Sequence, residues 1–311
     1  MRKLGNAQNE AEQDLEAAVQ KIPEWLVQEV HYEPVNGGIS NANWRVRVSG
    51  CEVDYFVKVP GKGTEMFIDR NAAHDGSVKA AECGFGAPVY QFIEDDGIEI
   101  FHFVEGFRTS TNNDFLDEDV RTNALKALKA FNSQKPLSLT KTVFDMIEEH
   151  LQQVEDLGGH NPPDIWWLRE QYRLAREALE ASGLDLVPCM NDTLAGNFML
   201  DENKNIMLVD FEYASNNDPF YELGLWFGEM FFPPTVEMEL LEEYFGRVDD
   251  RIIARLNVGK ALADLKWSTW AMVQSQVSKL DFDFHKYGIW KHMRARQMMH
   301  DPRWEGWLRT V

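Results

Sequence analysis

The stretch "NDTLAGNFML" carries an aspartate at 192 and an asparagine at 197, and thirteen residues later "IMLVDFEY" ends a second apolar run on Asp210. Phosphoryl transfer from a nucleotide needs these residue types. One carboxylate takes the proton of the attacking hydroxyl; an amide and a second carboxylate hold the magnesium that neutralises the phosphates. In that assignment Asp192 is the base, and Asn197 and Asp210 are the metal ligands. Mg2+ takes oxygen donors and keeps waters, so two protein ligands plus the phosphates of ATP complete a shell. Glu212, two residues past Asp210, lies on the same side of a strand by alternation, within reach of a second ion or of the acceptor.

These groups work only if neighbouring elements bring them together. "NFML" and "IMLVDF" are short apolar runs separated by the turn-forming "DENKN", which predicts a hairpin with Asn197 and Asp210 at one edge. Upstream, "AEQDLEAAVQKI" has helical period, and "NWRVRVSG" and "DYFVKVP" alternate as a half-buried hairpin around Ser49 and Gly50. A second helix is expected from Asp69 to Cys83, closed by Gly84, and "PVYQFIE" and "IEIFHFVEG" flank a turn at "DDG". From about residue 104 apolar residues recur at helical spacing, with helices expected over 164–182, 236–246 and 255–297. A strand-rich lobe, 1–103, thus precedes a mainly helical one, 104–311, with the hinge near "FHFVEGF". The class is α+β, and no internal repeat is visible.

Composition narrows the partners. The 311 residues are 44% hydrophobic, enough for real cores, and 31 Lys and Arg stand against 51 Asp and Glu, a net charge of −20. No basic stripe is available for nucleic acid, whereas a cationic partner suits the charge, as does a plain solvated acidic surface. Cys51, Cys83 and Cys189 lie far apart without C-x-x-C spacing, which predicts neither disulfides nor zinc and points to a reducing cytoplasm. Neither a signal-peptide core nor a run of about 18 apolar residues is present, so no membrane insertion is expected.

"NDTLAGNFML", "IMLVDFEYAS" and "YELGLWFGEM" together resemble the choline and ethanolamine kinases, a branch of the protein-kinase-like fold shared with aminoglycoside phosphotransferases. The resemblance runs over roughly 35–295 and is strongest over 191–230 and 267–287. It implies a two-lobed fold, a small antiparallel-sheet lobe over a larger helical one, and ATP-dependent phosphorylation of a small cationic alcohol, choline or ethanolamine. "NGGISNANWRV" is similar to the family's glycine-containing loop: Gly37 and Gly38 would let backbone approach the phosphates, with Ser40 and Asn41 as donors. Lys58 in "YFVKVP" takes the place of the strand lysine that pairs with phosphates, and Glu105 falls at the nucleotide edge of the hinge.

"DLKWSTWAMVQSQVSKLDFDFHKYGIW" resembles the helical stretch of the family's choline pocket. Trp267 and Trp270, three apart, share a helix face as an aromatic cage requires; Phe284 and Tyr287 would close it, and Glu229 would supply opposite charge. Two departures stand out. The family's helix glutamate, the partner of the strand lysine, falls on Ala73, leaving Asp75 or Glu65 as substitutes, and Met190 stands where the family has a histidine. A non-catalytic ligand-binding relative and a kinase for another small alcohol are therefore the alternatives.

Overall fold

The computed structural model describes residues 1–36, 41–61, 64 and 68–311. The first hundred residues form β1 (Arg2–Lys3), α1 (Glu10–Val19), α2 (Pro23–Leu26), β2 (Val30–Pro34), β3 (Asn41–Val48), β4 (Tyr55–Pro60), α3 (Arg70–Glu82), β5 (Val89–Ile93) and β6 (Ile98–His102). Their strands make one antiparallel sheet in the order β1-β2-β3-β4-β6-β5. Alternation decides its two faces. Trp44, Val46 and Val48 of β3 and Tyr55, Val57 and Val59 of β4 join Leu15, Val19 and Ile22 in one apolar core. Asn43 on β3 and Glu99 on β6 each sit opposite Lys58 of β4, so these three polar side chains lie abreast on the other face.

As the sequence predicts, α3 starts at an Asp69 cap, whose side chain accepts from Ala72 N, and ends before a left-handed Gly84 at φ +82°. Within α3, Gly76 is a close-approach residue: a Cβ there would lie 3.0 Å from Phe211 and Ala214. The helix therefore rests directly on the segment that follows Asp210.

The rest of the chain is β7 (Arg108–Thr109), α4 (Glu118–Asn132), α5 (Val143–Asp156), α6 (Ile165–Ser182), β8 (Val187–Cys189), β9 (Phe198–Leu200), β10 (Ile206–Leu208), β11 (Ser215–Asn217), α7 (Pro219–Met230), α8 (Pro234–Phe245), α9 (Asp250–Val277), α10 (Phe284–Met299) and α11 (Trp304–Thr310). β10-β9-β7 and β11-β8 form two small antiparallel sheets. The α+β, two-lobed, kinase-like architecture is therefore present. The continuous helix expected over 255–297 is two helices: the backbone turns extended at Ser278, and Asp283 caps α10 by accepting from Lys286 N. α7 is buried along its whole length, so no amphipathic period marks it in the sequence. A Cβ on Gly288 of α10 would meet Ala271 of α9 at 3.0 Å, so these helices touch closely where both carry the aromatic residues of interest. Among the described residues no helix is long and apolar enough to cross a membrane.

Candidate active site

β8 delivers the chain to Met190, whose side chain is fully buried in the core. The loop that follows is held from below by Glu222 of α7, also fully buried, whose carboxylate accepts from Met190 N, from Asn191 N at 3.2 Å and from Asn132 Nδ2 at 2.6 Å. Asn191 adopts φ +60° and donates to Tyr213 O at 2.7 Å and Ser215 Oγ at 2.8 Å, while Asn217 Nδ2 donates to its Oδ1. This network fixes the loop without the family's histidine.

Asn197 Nδ2 donates to Asp192 O at 2.8 Å, which leaves Oδ1 as the amide atom able to take a cation. Val209 N donates to Asn197 O at 3.0 Å, and β9 pairs with β10, so the hairpin fixes Asp210 beside Asn197. Asp210 has φ +67°, a left-handed conformation uncommon for a residue other than glycine and concentrated at functional sites. Asp192 is buried, with Oδ1 lacking any hydrogen-bond partner; burial and then the charge of Asp210 push it up to about 7. A carboxyl poised near neutrality suits general-base work. Among the described residues no three His, Cys, Asp or Glu side chains gather into a metal cage. The oxygen donors of Asn197 and Asp210 suit magnesium completed by phosphate oxygens and water.

Lys58 crosses from the sheet to the hairpin: its Nζ lies 2.7 Å from Asp210 Oδ1 and 3.4 Å from Glu212 Oε1. Burial opposes its charge, but Asp210, Glu212 and Glu99 together hold it protonated above the usual lysine range. At Ala73 the helix indeed has no carboxylate. Asp75 does not replace it, because it pairs with Lys79 and accepts from Ser138 N at 2.7 Å. Glu65 lies outside the described residues, as do Gly37, Gly38 and Ser40. What stands abreast of Lys58 is Glu99, itself buried and 3.4 Å from His74 Nδ1 of α3. Neither Glu99 nor His74 was expected; the signal was a charged residue at an inward position of "IEIF".

Asn41 lies at the seam between the lobes: it donates to Glu212 and accepts from Arg70 Nη1 at 3.2 Å. Arg70 also reaches Glu212 at 3.1 Å. Glu212 is therefore corrected from the acceptor pocket to the lobe interface, because its carboxylate is drawn to Lys58, Arg70 and Asn41. Glu105 is drawn to Arg45, whose guanidinium lies over Phe103, and its side chain is 72% exposed, apart from the groups that gather on Lys58.

The aromatic residues do meet. Trp267 and Trp270 are edge-to-face at 5.1 Å; Trp270 faces Phe284 at 5.8 Å and Tyr287 at 6.4 Å. Tyr213, quoted within "DFEY" but given no role, supplies another wall: its ring meets Trp267 at 5.4 Å and its hydroxyl accepts from Trp270 Nε1 at 2.9 Å. Glu229 is not a free counter-charge. Its carboxylate pairs with the fully buried Lys291 and lies 3.8 Å from Arg294, two cations that periodicity alone placed nowhere in particular.

The sequence model of choline/ethanolamine kinases matches residues 32–245, more than half of the chain. A probable ethanolamine kinase from Dictyostelium discoideum is 25% identical over 288 residues, covering 82% of each protein. Two solved structures share the fold. A choline/ethanolamine kinase family protein from Mesorhizobium loti superposes with a TM-score of 0.81 at 24% identity, over 97% of this chain and 99% of the other. A choline kinase from Streptococcus pneumoniae superposes with a TM-score of 0.75 at 24% identity, over 92% and 98%, and has also been solved with AMP. The match of the family model over residues 32–245 leads to one conclusion: the chain belongs to the choline/ethanolamine kinase family.

Proposed function

We propose that the chain transfers the γ-phosphoryl group of ATP to the hydroxyl of a small amino alcohol, ethanolamine or choline, with residues 1–103 holding the nucleotide and 104–311 the metal and acceptor. The observation that carries this is the contact of Lys58 with Asp210 at 2.7 Å across the lobes, beside a buried, unpartnered Asp192 carboxylate oxygen. Asp192 accepts the proton of the acceptor hydroxyl as attack proceeds. Lys58 and Arg70 bring positive charge to the phosphate side, and Asn41 and Glu212 order them there. Asn197 and Asp210 would hold magnesium, which would supply the charge that neutralises the phosphates. Tyr213, Trp267, Trp270, Phe284 and Tyr287 wall the acceptor, so that its hydroxyl is presented to Asp192 rather than to water. Three free cysteines suit a reducing cytoplasm.

The test is ATP turnover by the purified protein with magnesium and, in turn, ethanolamine, choline and related alcohols. Turnover with an amino alcohol that is abolished by Asp192→Ala is the expected result. A protein that melts normally yet releases no ADP above background with any acceptor refutes the assignment.

A further inference from the structure

Lys266 has no part in the chemistry above, yet it is fully buried and sits between Leu265 and Trp267 on α9. Its Nζ has no hydrogen-bond partner. That atom lies 3.2 Å from the centroid of the Trp267 ring and 4.4 Å from that of Tyr213. Both rings are walls of the acceptor box. An amine belonging to the chain therefore lies against two of the rings that wall the box, and an incoming ammonium meets it at close range. Burial pushes the Lys266 amine down to about 7; of the charged groups around it, Asp192 and Glu149 favour its charge and Lys141 opposes it. None of them bonds its Nζ.

We propose that Lys266 is a specificity-determining residue of the acceptor pocket, selecting an amino alcohol whose nitrogen carries N–H and disfavouring a quaternary ammonium. This rests on the acceptor reading given above. A quaternary ammonium carries a permanent charge and no donor, so it is repelled by Lys266 where that amine is protonated and cannot satisfy it where the amine is neutral. An amine with an N–H can share one proton with Lys266, one nitrogen donating and the other accepting, which gives the orphaned Nζ a partner and leaves a single charge between the two.

The test compares the wild type with Lys266→Met and Lys266→Arg on ethanolamine and choline, and separately measures binding of tetramethylammonium and methylammonium by calorimetry. The wild type is expected to prefer ethanolamine in kcat/KM. Lys266→Met should shift the ratio toward choline by at least about tenfold, carried in KM rather than kcat, and should bind tetramethylammonium at least about tenfold tighter. Lys266→Arg, which carries a fixed charge and no acceptor, should weaken binding of both alcohols and both ammonium probes and lose the preference for an N–H amine; if the Met variant fails to fold, Lys266→Gln takes its place. A wild type that prefers choline, or a ratio that does not move in the neutral variant, overturns the proposal. If neither alcohol is turned over, the acceptor reading fails, and the ratio of the two ammonium affinities still decides the role of Lys266.

Discussion

Replacing Asp192 by asparagine should inactivate the protein and at the same time stabilise it. The Asp192 residue is 9% exposed, its Oδ1 is unpartnered, and burial followed by the charge of Asp210 lifts its pKa from an ordinary 3.8 to about 7. At 1.36 kcal/mol per pH unit, ionised Asp192 destabilises the folded state by at most about 4 kcal/mol. Lys266 offsets part of this and loses a counter-charge in the variant, so the net gain expected in magnesium-free buffer is about 1–3 kcal/mol. The sign with pH is fixed. A folded pKa above the unfolded one means that the penalty is full above about pH 7, shrinks as pH falls and vanishes below about pH 4. The gap in Tm between variant and wild type should therefore be several degrees at about pH 8 and much smaller at about pH 5, and magnesium should narrow it. Scanning calorimetry reads the gap, and a coupled ADP assay should show a loss of about 100- to 10,000-fold in kcat. An asparagine variant that melts at or below the wild type at the higher pH, or that keeps its activity, refutes the reasoning.

Three further outcomes are expected. Glu99→Gln removes the carboxylate abreast of Lys58 and should lower kcat about tenfold with little change in melting temperature; a change under about twofold in steady-state assays would mean that Asp210 and Glu212 suffice. Glu222→Ala strands the Met190, Asn191 and Asn132 donors in the core and should destabilise by about 3–5 kcal/mol in urea titration, with a loss below about 1 kcal/mol counting against the loop support described here. Trp270→Ala removes a box wall and should raise KM for the amino alcohol about 3- to 30-fold while KM for ATP stays within about twofold; equal effects on both would locate Trp270 outside the acceptor pocket.

Much of the site was legible because its residues cluster along the chain. Asp192, Asn197 and Asp210 flank one hairpin, and a hairpin's edge is set locally by two apolar runs and a turn. Trp267 and Trp270 share a face by helical period alone. Periodicity misled in two places. It ran α9 into α10 across "SKLDFD", where an aspartate cap restarts the helix, and it passed over α7, which is buried on every side.

The roles of Glu212 and Glu229 show where local reasoning stops. Glu212 was expected to serve a second ion or the acceptor and Glu229 to give the acceptor an opposite charge, but a charge in the interior is claimed by whichever cation the fold brings nearest. Arg70 and Lys58 come from the other lobe, 142 and 154 residues earlier, to meet Glu212; Lys291 comes from 62 residues later to meet Glu229.

The sequence by itself determined the kind of chemistry, the α+β order of elements, and the candidates for the base and the two oxygen ligands, because residue type and short-range spacing suffice for these. The tertiary structure alone decided which charges are already neutralised, that Glu99 rather than a helix carboxylate stands beside Lys58, and that the Lys266 amine lies against Trp267 and Tyr213. Those depend on desolvation and on contacts between segments far apart in the chain, which no local pattern encodes.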